Sequence, residues 1–378
     1  MRVLMISHGC QSKTEGQPKA ECIAQLEDIE LMVLAPDRWN HFGTWRSAQP
    51  PETTKYTYIA GEVRWPWVGP AQFYLHFYPG LSKLLREFRP DIIDLWEEPW
   101  SMVSAQAVYL RSRLLPKTRI VSETEQNINK RLPPPFEQMR QFTLRNADYA
   151  VARNSEAVKV LNAKGYHGPT AIVPNAVDPH LFRPLDRDAC RSQFGLDGFV
   201  VGYVGRIVEL KGLTDLVDAL SFCPEDVNLL IVGSGEFEPQ LRTQVQQTKN
   251  ESRVRFLPAQ PMEALPQIMN AIDVLALPSR TTPRGKEQFG RVLIEAHACA
   301  TPVIGSSSGA IAEVTGKGGV IVPERAPEAL ADAIISLRAD PAWRRELGLI
   351  GRAQVKECYT WERVAEQMAD IYRELMKQ

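Results

Sequence analysis

No excess of either charge marks this sequence of 378 residues: 44 Lys and Arg stand against 45 Asp and Glu, a net charge of −1. Without a protein-wide positive field, nucleic acid is not an expected partner. No run approaches 18 consecutive apolar residues, which excludes a membrane-spanning helix from the expectations. The six cysteines, Cys10, Cys22, Cys190, Cys223, Cys299 and Cys358, contain no C-x-x-C pair. That spacing argues against a zinc site or a disulfide framework and for buried thiols in a reducing compartment. The opening MRVLMISHGC is too short an apolar run for a secretory signal and reads as a first strand, so the expected location is the cytoplasm. Repeats and low-complexity segments are also missing. Asn250-Glu251-Ser252 fits a glycosylation sequon, but without a signal peptide it reads as chance.

What is present is an ordinary globular composition, 44% hydrophobic and 24% charged, over a length that fits two domains. Short β-branched runs at 2–7, 30–35, 92–96, 119–123, 148–152 and 171–174 alternate with helical patterns at 18–27, 81–88, 102–114, 136–146 and 155–164. A second series of runs follows at 199–205, 227–233, 253–257, 273–277, 302–305 and 319–322, with helical patterns at 213–220, 265–270 and 292–299 between them. Near-continuous apolar strands alternating with helices specify parallel sheets covered on both faces. The Pro-rich stretch from Pro174 to Pro184 interrupts the pattern once and places a hinge near 175–195. The expected class is α/β, with two facing Rossmann-like doubly wound domains, 1–180 and 181–358, and a cleft between them. Residues 359–378 form a terminal helix with Val364, Met368, Ile371 and Leu375 at helical spacing.

Open α/β sheets bind ligands at the carboxyl ends of their strands, so the strand-end loops are the candidates. Gly205-Arg206 and Lys211-Gly212 follow the run at 199–205. An Arg fork and a Lys point charge there suit a diphosphate, although two solvated loop cations give the same pattern. Gly233-Ser234-Gly235 would let backbone amides approach a ligand, or form a plain turn. Glu287-Gln288-Phe289-Gly290-Arg291 leads into Glu295 where a helix is expected to begin. The amides of Phe289, Gly290 and Arg291 would then be first-turn donors open to an anion. At 1.5 Å of rise per residue, Glu287 and Glu295 lie about 10 Å apart. A retaining hydrolase pair needs roughly 5 Å. The longer separation matches the two ends of a nucleotide sugar, hydroxyls of the sugar at one carboxylate and of the ribose at the other. Two acids of a helix's first turns are the plainer alternative.

Taken in order, Val173-Pro174-Asn175-Ala176-Val177-Asp178, Gly205-Arg206, Lys211-Gly212, Gly233-Ser234-Gly235 and the Glu287-x7-Glu295 element resemble the retaining glycosyltransferases of family 4, of GT-B architecture. The resemblance is strong over 170–378 and in outline over 1–170. It implies a hexosyltransferase that moves a hexose from a UDP- or GDP-linked sugar to an acceptor hydroxyl with retention and without a metal or other cofactor. Arg206 and Lys211 would hold the diphosphate. Glu287 would accept from the sugar hydroxyls beside the Phe289–Arg291 amides, Glu295 would bind the ribose, and Gly205, Gly233 and Gly235 would line the nucleotide pocket. The helix after Tyr359-Thr360-Trp361 resembles the family's terminal helix, which crosses back to the N-terminal domain.

In the N-terminal half the chain departs from better-known members. A Gly-Gly loop is replaced by single glycines, Gly9 and Gly16, and Glu97-Glu98-Pro99 stands where many carry a His. A subset of the family shares such Glu-Glu-Pro and Gln-Asn-Ile loops, which makes Glu98 a catalytic candidate and Gly16, Lys19 and Asn127 candidates for the acceptor side. Asp186-Arg187-Asp188 is a D-x-D triplet, read as a helix cap rather than a metal site. Six of the eight tryptophans, Trp39, Trp45, Trp65, Trp67, Trp96 and Trp100, fall before residue 101. They fit a sugar or lipid contact, or ordinary packing. Arg111, Arg113, Lys117, Arg119, Lys130, Arg131, Arg140 and Arg145 outnumber Glu123, Glu125 and Glu137, so weak contact with the inner face of a membrane stands beside a solvated face. The acceptor class, saccharide, lipid-linked or small molecule, stays open. The alternatives in function are a GT-B sugar-nucleotide epimerase and a silent nucleotide-sugar binding protein.

Overall fold

A computed structural model describes residues 1–41, 44–52, 55–65, 71–283 and 285–377. Its strands are β1 (Arg2–Ile6), β2 (Glu30–Pro36), β3 (Arg38–His41), β4 (Thr44–Ser47), β5 (Thr57–Gly61), β6 (Ile92–Leu95), β7 (Arg119–Thr124), β8 (Tyr149–Ala152), β9 (Thr170–Ile172), β10 (Phe199–Val204), β11 (Val227–Val232), β12 (Val254–Leu257), β13 (Val274–Leu277), β14 (Val303–Ser306) and β15 (Gly319–Val322). The chain divides into two units, Met1–Pro174 with Trp361–Gln378, and Asn175–Thr360.

In the first unit seven strands pair in the order β5-β2-β1-β6-β7-β8-β9, all parallel. Residues of β1 and β6 such as Leu4, Ile6 and Ile93 are fully buried. They pack with Leu81, Leu85, Phe88, Val103 and Val108 of two covering helices, Leu81–Phe88 and Met102–Leu114. In the second unit six strands pair in the order β12-β11-β10-β13-β14-β15, also all parallel. Every residue of β10 is buried, because helices such as Leu213–Ala219 and Arg291–Ala298 close both faces, the condition under which a strand reads as one apolar run. Counted along the chain, that order is 3-2-1-4-5-6, the doubly wound pattern whose switch point lies between its first and fourth strands. The first unit has the same order extended by one strand once the small β3–β4 hairpin is set aside. Its switch point lies between β1 and β6.

Two features depart from the sequence reading. It places no strand between residues 35 and 92, where the structure has β3, β4 and β5. β4 is exposed throughout, and β5 is an edge strand with no fully buried residue, so neither carries the apolar run that marks an inner strand. The helix expected over 18–27 ends at Ile23. The terminal helix Trp361–Met376 is part of the first unit and packs on the helix Gln17–Ile23. Its stripe of Val364, Met368, Ile371, Tyr372 and Leu375 is buried, and Tyr372 donates to Asp94 on β6 at 2.7 Å. Asp186 accepts from the amides of Asp188 and Ala189 at 3.0 and 3.1 Å and caps the helix Arg187–Phe194. Among the described residues no cluster of His, Cys, Asp or Glu could hold a metal, and no helix is long and apolar enough to cross a membrane.

Candidate functional site

The loops that leave β10, β11 and β13 in the second unit are tied to one another. The Gly205 amide donates to Val232 and the Ile207 amide to Ser234, at 3.0 and 2.9 Å. A Cβ on Gly233 would fall 1.9 Å from the Gly205 carbonyl oxygen, so two backbones touch there and only glycine fits. The sequence reading assigns this glycine to ligand approach; loop-to-loop packing already requires it. Arg206 projects from the same loop as an exposed side chain, while its carbonyl accepts the buried Tyr203 hydroxyl at 2.6 Å.

Lys211 closes a short turn, Glu209–Lys211. Its ammonium lies 2.6 Å from Glu287, and the Ser279 hydroxyl donates to the same carboxylate oxygen at 2.9 Å. Lys211 and Glu287 are 17% and 12% exposed, low enough to strengthen the pair and high enough for a ligand to reach it. The loops after β10 and β13 meet at this ion pair, which spacing alone did not foretell. Next comes Phe289, buried and edge-on to Tyr359 at 5.9 Å. Gly290 then caps the helix Arg291–Ala298 in a left-handed conformation, φ +82°, with no side chain on its amides. Glu295 lies inside that helix, 7% exposed. Burial pushes its carboxyl above the usual range, opposed only by the charge of Arg291.

In the first unit the structure moves two candidates. Lys19 is 1% exposed. Its ammonium pairs with Glu123, sits 3.8 Å from Asp94 and lies 4.2 Å over the Trp96 ring. Arg153 pairs with the same Glu123. Lys19 is therefore a buried cation neutralised from β6 and β7. Gly16 is buried at the start of the same helix, and a Cβ on it would lie 2.4 Å from the Gly9 backbone. Its place is a close contact between two loop backbones. Asn127 is buried, with its amide 3.4 Å from Glu156.

Glu98 keeps its candidacy. It follows β6, half-buried, and accepts from the Thr124 hydroxyl at 2.6 Å and the Glu125 amide at 2.9 Å. Burial pushes its carboxyl up to about 7 in spite of those two bonds. Its neighbour Glu97, which the sequence reading passed over, accepts from the backbone and ring of His8, the second residue after β1. The signal that could have found the pair is positional, since both follow strands that flank the switch point. Of the tryptophans, Trp39 and Trp100 are buried, Trp45 and Trp65 are exposed, Trp96 takes two cations on its ring, and Trp67 lies outside the described residues. Arg111 and Arg119 are paired with Asp148, and Arg140 with Glu137, which removes three charges from the expected basic face.

Residues 186–354 match the model of the family described as "Glycosyl transferases group 1". A D-inositol 3-phosphate glycosyltransferase of Segniliparus rotundus is 35% identical over 217 residues, 54% of this chain and 47% of that protein. The chain thus spans about half the length of the curated relatives it matches. Sucrose-phosphate synthase from Thermosynechococcus elongatus superposes over 100% of this chain and 99% of its own, with a TM-score of 0.78 at 23% identity. Anabaena HepE in complex with UDP and glucose superposes over 99% of each chain, with a TM-score of 0.73 at 21% identity. These likenesses show the fold: an α/β chain of two Rossmann-like units, shared with GT-B glycosyltransferases.

Proposed function

We propose that the protein transfers a hexose from a UDP- or GDP-linked sugar to an acceptor hydroxyl, with retention of configuration and without a metal. The observation that carries the proposal is the Lys211–Glu287 pair beside the uncapped start of the helix Arg291–Ala298, next to the switch point of a sheet ordered 3-2-1-4-5-6. A cation and a helix amino end favour a pyrophosphate. The carboxyl of Glu295, inside that helix, suits the two vicinal hydroxyls of a ribose. Support also comes from the family model, which covers this unit, and from HepE, a protein of like fold that was crystallised with UDP and glucose.

The chemistry follows from charge. Breaking the bond from the anomeric carbon to the diphosphate leaves negative charge on the nucleotide and positive character on the sugar. Arg206, Lys211 and the amides of Phe289, Gly290 and Arg291 offset the first, which is the work a metal would otherwise do. Lys211 turns from Glu287 to the phosphate, and Glu287 is left to accept from sugar hydroxyls. Gly205, Gly233 and Gly235 keep the loop backbones close enough to border the nucleotide. Glu98 and Asn127 belong to the acceptor side. The named activity of the Segniliparus relative, which acts on D-inositol 3-phosphate, makes a polyol the first acceptor to try. Work with cytoplasmic sugar nucleotides fits a cytoplasmic enzyme, with any membrane contact peripheral.

The test is incubation with UDP-[¹⁴C]glucose or GDP-[¹⁴C]mannose and D-inositol 3-phosphate, with and without EDTA. Labelled glycoside of retained configuration in both conditions is expected. An isomerised donor, or a donor bound without any turnover, contradicts the transfer reading. Activity abolished by EDTA and restored by Mn²⁺ contradicts the metal-free one.

A further inference from the structure

The loop after β13 fixes one serine more firmly than chain connection requires. Ser279, the second residue beyond that strand, is fully buried. Its hydroxyl donates at 2.9 Å to the same Glu287 oxygen that Lys211 holds. A carboxylate only accepts, so the direction of that bond is set. The Ser279 carbonyl accepts in turn from the hydroxyl of Ser306, the last residue of β14 and itself buried.

The residues on either side are pinned as well. The Pro278 carbonyl touches the backbone of Gly212, where an added Cβ would fall 2.0 Å from it. The Arg280 amide donates to Leu210 at 2.8 Å. Its guanidinium donates to Asp215, at 2.8 Å from Nε, and to the Thr214 hydroxyl at 2.6 Å. These bonds sew the loop to the turn that carries Lys211 and to the helix just after it. On the other side, the Thr281 hydroxyl meets that of Ser308 at 3.0 Å and donates to Glu324 at 2.6 Å. Ser279 therefore sits on a segment held at once from the loops after β10 and β14, and a short side chain carries its hydroxyl.

Lys211 differs in kind. Its ammonium ends a flexible four-carbon stem with rotatable donors, and a bound diphosphate competes with Glu287 for it. A carboxylate has about four lone-pair sites, so Glu287 can keep the serine while it accepts from sugar hydroxyls. Resting on the transfer reading above, we infer that Ser279 is the positioning residue of Glu287. Its hydroxyl holds the carboxylate toward the donor sugar while Lys211 passes from that carboxylate to the diphosphate. The lysine is the exchangeable partner of Glu287 and the serine the permanent one. Ser306 and the Arg280–Asp215 pair act one step further back, by fixing the serine.

The experiment uses the full chain, UDP-glucose or GDP-mannose as donor, and D-inositol 3-phosphate as acceptor. S279A removes the hydroxyl and leaves the backbone grip in place. It is expected to lower kcat for transfer about 10-fold and to leave the affinity for free UDP or GDP, read by calorimetry, unchanged. The deciding readout is the same substitution made without Glu287. A serine that acts through that carboxylate costs nothing further on an E287A background, whereas a serine that only supports the loop costs as much there as in wild type. S279A turnover equal to wild type, or an equal loss in both backgrounds, overturns the inference. Wild-type protein that turns over no donor contradicts the transfer reading, and calorimetry then decides the role of the serine alone. S279A should lose about 10-fold in its affinity for UDP-glucose or GDP-mannose relative to the free diphosphate. An unchanged ratio of those affinities overturns the inference as well.

Discussion

The two sheets share one strand order, yet their switch points carry opposite equipment. In the second unit the loops after β10 and β13 bring a lysine, a glutamate and an uncapped helix start together. In the first unit the loops after β1 and β6 bring a histidine and two glutamates, and Trp39 of β3 stacks on the histidine. The first set gathers cation and helix amino end, and the second gathers carboxylates around an imidazole. Topology thus fixes where a site lies, and the side chains at that place fix what it does.

The sharpest way to break this contrast is to remove Glu287. Glu287→Ala is expected to lower kcat at least ~10²-fold, roughly 3 kcal/mol of lost transition-state contact; steady-state kinetics that show wild-type turnover would take the residue out of the site. Gly233→Ala comes next. The added methyl must displace the Gly205 carbonyl, and we expect a cost of about 2 kcal/mol in the unfolding of the second unit, read by urea denaturation, with the first unit unaffected. Equal midpoints for the variant and wild type would show that the loops can part.

The third prediction concerns acid. Glu97 is held down to about 2 from its ordinary 4.5, so the unfolded chain binds its proton first as pH falls. Its contribution is complete above pH 4.5 and is lost on the way to 2. Glu97→Gln should therefore flatten that part of the stability profile, an effect on the order of 2 kcal/mol, and chemical denaturation at pH 6 and pH 3 measures it. A slope identical to wild type would mean that Glu97 is not held in its charged form. The smallest effect is expected from Tyr372→Phe, which removes one hydrogen bond to buried Asp94 at about 1 kcal/mol. A thermal midpoint for the first unit lowered by a few degrees checks it, and no change would remove the terminal helix's polar tie to β6.

Much of the fold was legible because buried strands announce themselves. Phe199-Val200-Val201-Gly202-Tyr203-Val204 is apolar from end to end, since it lies between two helical layers. β5 and the hairpin were not legible, because edge and exposed strands keep their polar residues. In the candidate site, Gly290 stood out as a helix start because the apolar helical spacing resumes just beyond it. The burial of Lys19 was hidden for the converse reason. A lysine after Gly-Gln-Pro has the look of a surface loop, and only the acids of two other strands make its burial tolerable.

Sequence alone determined the alternation of strand and helix, because hydrophobic period is a local property set over a few residues. It also marked which loops to read, since strand ends follow from strand positions. The tertiary structure decided the partners: His8 with Glu97 across 89 residues, Lys211 with Glu287 across 76, and Lys19 with Glu123 across 104. The first two pairs exist because strands far apart in the chain, β1 with β6 and β10 with β13, lie side by side in a sheet, and the third because the helix Gln17–Ile23 brings Lys19 to β6 and β7. Charge finds its partner through that neighbourhood, which no local pattern encodes.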